Sequence, residues 1–182
     1  MSLRDAASLI AVKSRGCRAE VRMLVKRRGL WRETLYTAEA WVGRGGVSPE
    51  KTEGDGRTPA GLFTLSLPFG AEPPPEGVSP YLRLTGDEYW VDDPESIYYN
   101  SIVRLGAAEK DWRSAEHLIE NREAYACACC IDYNPDRVHG AGSAIFLHCS
   151  VAAPSSGCVA VPKPVMRALL QALREDTLIS IS

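Results

Sequence analysis

A histidine and a cysteine ten positions apart, His148 and Cys158, bound a loop of small residues, and their neighbours are the kinds that thiol chemistry needs. An ordinary cysteine, with a pKa near ~8.5, is mostly protonated at neutral pH, so a nucleophilic thiol requires a base beside it. His148 is that candidate base. Gly157, directly before the cysteine, lets a substrate approach the backbone, and the N–H groups of Gly157 and Cys158 are candidates to hold a developing oxyanion. Together these residues would carry acyl transfer through a thioester. The same residues admit a plainer role, with Cys158 a small buried hydrophobe and His148 a hydrogen-bonded core side chain.

The flanking elements would set the distance between the pair. The run Ala144, Ile145, Phe146, Leu147 reads as a buried strand ending on His148, and Val159, Ala160, Val161 as a second strand stopped by Pro162. A helix follows, opened by Pro162 and Pro164, with Val165, Leu169, Leu170 and Leu173 at helical spacing, and Leu178 to Ile181 is a last strand. Upstream, residues 6–12 read as the first strand. Residues 17–46 read as a hairpin with its turn at Arg28-Gly29 and with Ala19, Val21, Met23 and Val25 on one face. The Asp55-Gly56 and Thr58-Pro59 pairs predict turns before a strand at 62–65, and the prolines of 68–80 predict an irregular crossing. Strand character returns over 81–93, and residues 107–121 have a helix-compatible composition. In 124–133, read as a central strand, alternation puts Tyr125, Cys127, Cys129 and Ile131 on one face, and Ala126, Ala128 and Cys130 on the other. Asp132 and Asn134, just beyond it, suit hydrogen bonds to loop backbone. Cys127 and Cys129 thus share a face while Cys130 points away, which favours packing over a metal site as the role expected of them. A bridge between Cys149 and Cys158 would block the thiol.

Two separate motifs resemble those of one family. The strand ending on His148, the loop and Ser156-Gly157-Cys158-Val159 resemble the active-site motif of the L,D-transpeptidase catalytic domain, the YkuD-like domain. Upstream, Glu53 to Phe63 contains Thr58-Pro59-Ala60-Gly61-Leu62-Phe63, which is similar to the family's Thr-Pro-x-Gly-x-Phe signature. The likeness runs from about residue 8 to 181. It is nearest to members that also carry Tyr89-Trp90-Val91-Asp92-Asp93, Tyr99-Asn100, the run from Asp111 to Leu118, and Asp132-Tyr133-Asn134. Many members have histidine where this chain has Ser156, and glycine or serine where it has Cys149; the gap between His148 and Cys158 is also shorter. His148 is thus the one candidate base within the motif, and the loop should be compact.

The resemblance implies a β-rich α+β fold, a mixed β-sandwich with short helices, in a single catalytic domain over residues 1–182. It implies a Cys158 acyl-enzyme formed from a peptidoglycan stem peptide, an amine such as that of meso-diaminopimelate as acceptor, and neither cofactor nor metal. Gly157, Cys149 and Ser156 then belong to the oxyanion and orienting set, with a backbone carbonyl near Cys149, or Ser150, holding the imidazole. Arg57 and Arg104 are candidates for a substrate carboxylate by residue type, and His117 for facing the cleft. A carboxypeptidase with the same cysteine, or a non-catalytic binder of cell-wall peptides, would share these features.

Composition bounds the rest. With 182 residues and a net charge of −2 from interspersed acids and bases, the chain suits one domain, and nothing in it points to nucleic acid or an anionic membrane. No apolar run is long enough to span a bilayer. Asp5 before the first apolar run, and Lys13 and Arg15 after it, make a poor secretory signal. The resemblance implies a location in the cell envelope outside the cytoplasm, so the expectation is an export signal removed from this chain, or an internal role.

Overall fold

Apolar residues at every second position make the first hairpin. In the computed structural model, which describes residues 2, 3 and 5–182, strands β1 (Ser8–Arg15), β2 (Arg18–Arg27) and β3 (Leu30–Trp41) form an antiparallel meander, and Ala19, Val21 and Met23 face the core. Arg28 and Gly29 both take positive φ, 51° and 79°, as a tight turn between two strands requires. The chain continues through β4 (Val47–Ser48), β5 (Thr58–Pro59), β6 (Gly61–Gly70), β7 (Leu82–Arg83), β8 (Glu88–Val91), β9 (Ser101–Arg104) and β10 (Ala115–His117). It ends with β11 (Ala128–Ile131), β12 (Phe146–Cys149), β13 (Val159–Val161), α1 (Lys163–Ala172) and β14 (Thr177–Ile181).

Nine strands form one sheet in the order β11-β12-β13-β3-β2-β1-β14-β6-β7, and β11 also pairs with β6. The sheet therefore closes on itself, and the layers expected of a sandwich are opposite sides of this closed sheet. β12 and β13 are parallel neighbours, with Leu147 opposite Val159 and His148 opposite Ala160. Parallel strands ordinarily need a crossover of about a dozen residues or more; here residues 150–158 make it, which holds His148 and Cys158 to adjacent strands.

The two faces of β11, β12 and β13 have different coverings. Leu147, Cys149, Val159 and Val161 join Cys127, Cys129 and the helix residues Met166, Leu169 and Leu170 in the main core. Phe146 and Cys158 lie on the other face with Ala128 and Cys130, where Trp90, Ile102 and Leu118 pack on them. That cover comes from a second sheet, β10-β8-β9, and a turn of 3₁₀ helix at Leu118–Asn121.

Three local expectations change. Residues 107–121 do not form a helix: Ala115–His117 pairs with β8 and a single 3₁₀ turn follows. The apolar stripe of Trp112, Ala115 and Leu118 is too short to repay helix nucleation, and the β8 edge offers ladder bonds instead. The central strand starts at Ala128 rather than at 124, so the turn before it places Tyr125 with Ala128 and Cys130 instead of with Cys127. β6 runs on through Pro68 to Gly70, and a register shift opposite β11 accommodates the proline.

Phe146, fully buried, is the centre of the covered face, with its ring edge-on to Phe69 at 5.2 Å, Trp90 at 4.9 Å and Tyr125 at 5.6 Å. Phe146→Ala is expected to cost about 3–5 kcal/mol, seen as a drop of roughly 6–20 °C in thermal melting.

Candidate active site

Strand register brings His148 and Cys158 to one face, because Ala160, two residues after the cysteine, lies opposite the histidine. Both line a cavity of about 540 Å³, although each is largely covered, with 7 % exposure for His148 and 8 % for Cys158. Nδ1 of His148 donates to the carbonyl of Cys149 at 2.8 Å, which leaves Nε2 as the ring's acceptor. The Tyr125 ring meets the imidazole edge-on at 5.5 Å. The thiol of Cys158 donates to Ala144 O at 3.2 Å and accepts from the N–H of Phe146 at 3.3 Å, so it is bonded to backbone and not to the imidazole.

Burial sets the resting charge states. It pulls the His148 pKa below its ordinary value, with the bond to Cys149 O opposing, so the ring is neutral at pH 7. Burial, with the Glu116 carboxylate adding to it, pushes the Cys158 thiol up to about 12, against smaller help from the Phe146 N–H and Lys51. The resting pair is thus a neutral thiol and a neutral imidazole.

The Thr-Pro motif acts on the cysteine through backbone. Thr58, fully buried, accepts from the N–H of Gly43 at 2.8 Å and donates to the carbonyl of Cys158 at 3.3 Å, and Ser155 Oγ donates to that same carbonyl at 2.6 Å. Gly157, at φ +157°, is closely packed: a Cβ would lie 3.0 Å from Arg57 O and 3.2 Å from Ile145 Cδ1, so a side chain there would press its neighbours outward. Asn100 braces the thiol's acceptor. Its Oδ1 takes the N–H of Ala144 and the indole N–H of Trp90, both at 3.1 Å, while its Nδ2 donates to the carbonyls of Tyr133 and Asn134. Ala144 is thereby held at φ 53°, a conformation uncommon outside glycine.

The expected site residues divide. His148, Ser156, Gly157 and Cys158 meet at the cavity, and the Cys149 carbonyl contacts His148. The Gly157 N–H donates to Ser155 Oγ at 3.1 Å and is not free for an oxyanion. Cys149 turns its side chain to the main core, where its sulfur lies 3.7 Å from that of Cys127, while Cys158 packs on the other face, so the bridge that would block the thiol does not form. All three substrate candidates lie off the cavity lining. Arg104 is exposed and pairs with Glu88 at 3.3 Å. His117 stacks on Tyr89 at 4.3 Å and bonds Gly86 O and Glu120. Arg57 is exposed and contributes its backbone beneath Gly157.

Sequence reasoning missed the charged lining: Arg44, Lys51, Glu53, Asp92 and Glu116. Arg44 donates to Ser156 Oγ at 3.0 Å, and the buried Lys51 pairs with Asp55 at 2.8 Å. Burial raises the pKa of Asp55, but Lys51 and the N–H groups of Thr52 and Arg57 outweigh it and hold the carboxyl below its usual range. The available signal for Arg44 was its place between Gly43 and Gly45, since a Cβ on Gly43 would come within 2.4 Å of Gly56 O, the mark of two loops in close approach.

Solved structures with this fold include the helical cell shape determining protein Pgp2 from Campylobacter jejuni, 15 % identical with a TM-score of 0.56 over 98 % of this chain and 48 % of that one. Bdellovibrio bacteriovorus Bd1075 is 16 % identical, with a TM-score of 0.53 over 97 % of this chain and 48 % of that one. This chain spans about half the length of each, and at such identity the likeness is one of fold. No curated protein matches the sequence. The sequence model of the L,D-transpeptidase catalytic domain, YkuD, matches residues 18–181, and the chain belongs to that family.

Proposed function

We propose that this protein is a cysteine-dependent L,D-transpeptidase that acts on peptidoglycan stem peptides in the cell envelope, outside the cytoplasm. One observation carries the reading: a single cavity is lined by a thiol and by a neutral imidazole whose Nδ1 is tied to Cys149 O, leaving Nε2 to accept a proton. With substrate bound, the Cys158 side chain rotates from Ala144 O toward His148, whose Nε2 takes the thiol proton as sulfur attacks the carbonyl carbon. The Cys158 N–H holds the oxyanion, since that of Gly157 is committed to Ser155. Collapse breaks the C–N bond, and imidazolium returns the proton to the departing amine. An acceptor amine then attacks the thioester, gives a proton to His148 and releases the thiol. Chemistry on the wall accords with a fold shared with Pgp2, a determinant of helical cell shape.

Incubation with a stem tetrapeptide, with and without an amine acceptor, tests this by intact mass and product analysis. The expected result is an acyl adduct mapped to Cys158 and a product that appears only with acceptor. Hydrolysis alone would make the protein a carboxypeptidase, and peptide binding without any adduct would remove the enzymatic reading. No helix among the described residues is long and apolar enough to cross a membrane.

A further inference from the structure

Two buried thiols serve none of these steps and touch each other. Cys127 and Cys149, 0 % and 1 % exposed, lie in the main core with their sulfurs 3.7 Å apart. Register brings them there: Ala128 pairs with His148 in antiparallel strands, so one residue further along each chain sets Cys127 against Cys149. A disulfide holds its sulfurs about 2.05 Å apart, so this pair has only about 1.7 Å to close. Cys149 also lines a second cavity of about 350 Å³, with Ala126, Ser150, Arg122 and Lys163, which gives a small molecule a route to its sulfur apart from the candidate active site.

The two sulfurs are not equivalent. The hydrogen bond from Cys127 holds the Cys149 thiol below its ordinary value against burial, and the Lys163 ammonium adds to it, while the same bond and burial push Cys127 up. Cys149 is thus the attacking thiolate of the pair, on the cavity through which a partner arrives. Both cysteines are also joined to the supports of the imidazole. Cys149 O accepts from Nδ1 of His148 at 2.8 Å, and the Cys149 N–H donates to Ala124 O at 2.9 Å. Tyr125, two residues before Cys127, packs edge-on to the His148 ring at 5.5 Å.

We propose that Cys127 and Cys149 form a redox-active dithiol, oxidised by small-molecule disulfides of the glutathione class, and that its closure displaces the imidazole of His148. The Cys149 thiolate attacks one sulfur of the small disulfide, forms a mixed disulfide and releases a thiolate. Cys127 then attacks the Cys149 sulfur, its proton passing to a released thiolate, and a second small thiol departs. Two protein thiols are oxidised to one disulfide while one small disulfide is reduced to two thiols. Drawing the sulfurs together shifts the Cys149 carbonyl and the turn that carries Tyr125, so the ring loses the geometry set by its Nδ1 bond. The dithiol does not rest on the acyl-transfer reading; its effect on turnover does.

The test equilibrates the full chain in glutathione buffers from fully reduced to fully oxidised, quenches with an alkylating agent and maps the peptides by mass. The expected product is a peptide that links Cys127 to Cys149 and is released by dithiothreitol; Cys127→Ala, and independently Cys149→Ala, should each abolish it. In the oxidised wild type the His148 ring resonances should move. Turnover of a stem peptide should fall about ten- to a hundredfold, mainly in kcat, the scale of a misplaced catalytic group. Both changes should reverse on reduction, and Cys127→Ala should show neither. No linked peptide in the fully oxidised buffer, a link to Cys158 in its place, or a Cys127–Cys149 link that leaves the ring resonances and turnover unchanged would overturn the proposal. A link that moves the resonances in a protein that forms no acyl adduct would uphold the dithiol and remove the acyl-transfer reading.

Discussion

Cys158→Ala is expected to yield a folded protein that forms no thioester with a stem peptide and processes it at least about a thousandfold more slowly than the wild type. The size of the effect follows from the proposed role of its sulfur as the atom that forms the new bond, with no second thiol in the cavity lining to replace it. The alanine variant also leaves the Phe146 N–H without its acceptor, a cost of about 1–3 kcal/mol in a denaturant melt. Cys158→Ser separates the two losses, because a hydroxyl can keep the bonds to Phe146 N–H and Ala144 O and so preserve stability. It is still expected to be inactive, since its proton is far harder to remove than that of a thiol. A thiol pushed up to about 12 should also react slowly with iodoacetamide at pH 7, so an acyl peptide ought to label Cys158 faster than a simple alkylating agent does. Retained turnover in either variant would show that Cys158 only packs the covered face of the sheet.

Local signals were readable, and contacts between distant segments were not. The hairpin follows from alternation at Ala19, Val21 and Met23 and from the Arg28-Gly29 turn, all within one short stretch. His148 and Cys158 are legible for the same reason: an apolar run, a loop of small residues and a second apolar run define two strand ends within 15 positions, from Ala144 to Cys158. The Cys149 carbonyl as the imidazole's partner is legible too, since the contact spans one residue. By contrast, Asp92 and Glu116 reach the site only because β8 and β10 fold over the far side of β12, a placement with no periodic trace in sequence. Tyr125 changed face because a turn, not a strand, precedes Ala128. The proximity of Cys127 and Cys149 depends on the register between β11 and β12, which pairs Ala128 with His148. Residue type alone was a poor guide to the arginines: the one on the cavity, Arg44, is set by the close approach of its flanking loop to residues 55–57.

His148→Gln is expected to lower kcat/KM by about a hundredfold to ten-thousandfold, the usual worth of a positioned general base. Glutamine can still donate to Cys149 O from its side-chain amide but offers no nitrogen that accepts a proton, so packing is kept while proton transfer is lost. The pH profile identifies the cause. Burial places the His148 pKa below the ordinary value of about 6.5, so the wild type should lie on its plateau at pH 7 and lose activity only in more acid solution. Glu116, raised by burial and by Asp92, titrates on the same side, and Glu116→Gln therefore serves as the control for its share of the acid limb. In His148→Gln the remaining reaction must use thiolate already present in solution equilibrium, so log kcat/KM should climb with unit slope through neutral pH toward the raised thiol pKa. Stability carries the matching sign. Because the folded pKa of His148 lies below the unfolded one, the unfolded chain binds the extra proton, so stability is full above about pH 6.5 and falls as the pH drops from there toward the folded value. The glutamine variant lacks this proton uptake and should lose less stability than the wild type between pH 7 and 5. Parallel pH–rate profiles for wild type and His148→Gln would mean that the proton leaves the thiol by another route, and that the imidazole is structural.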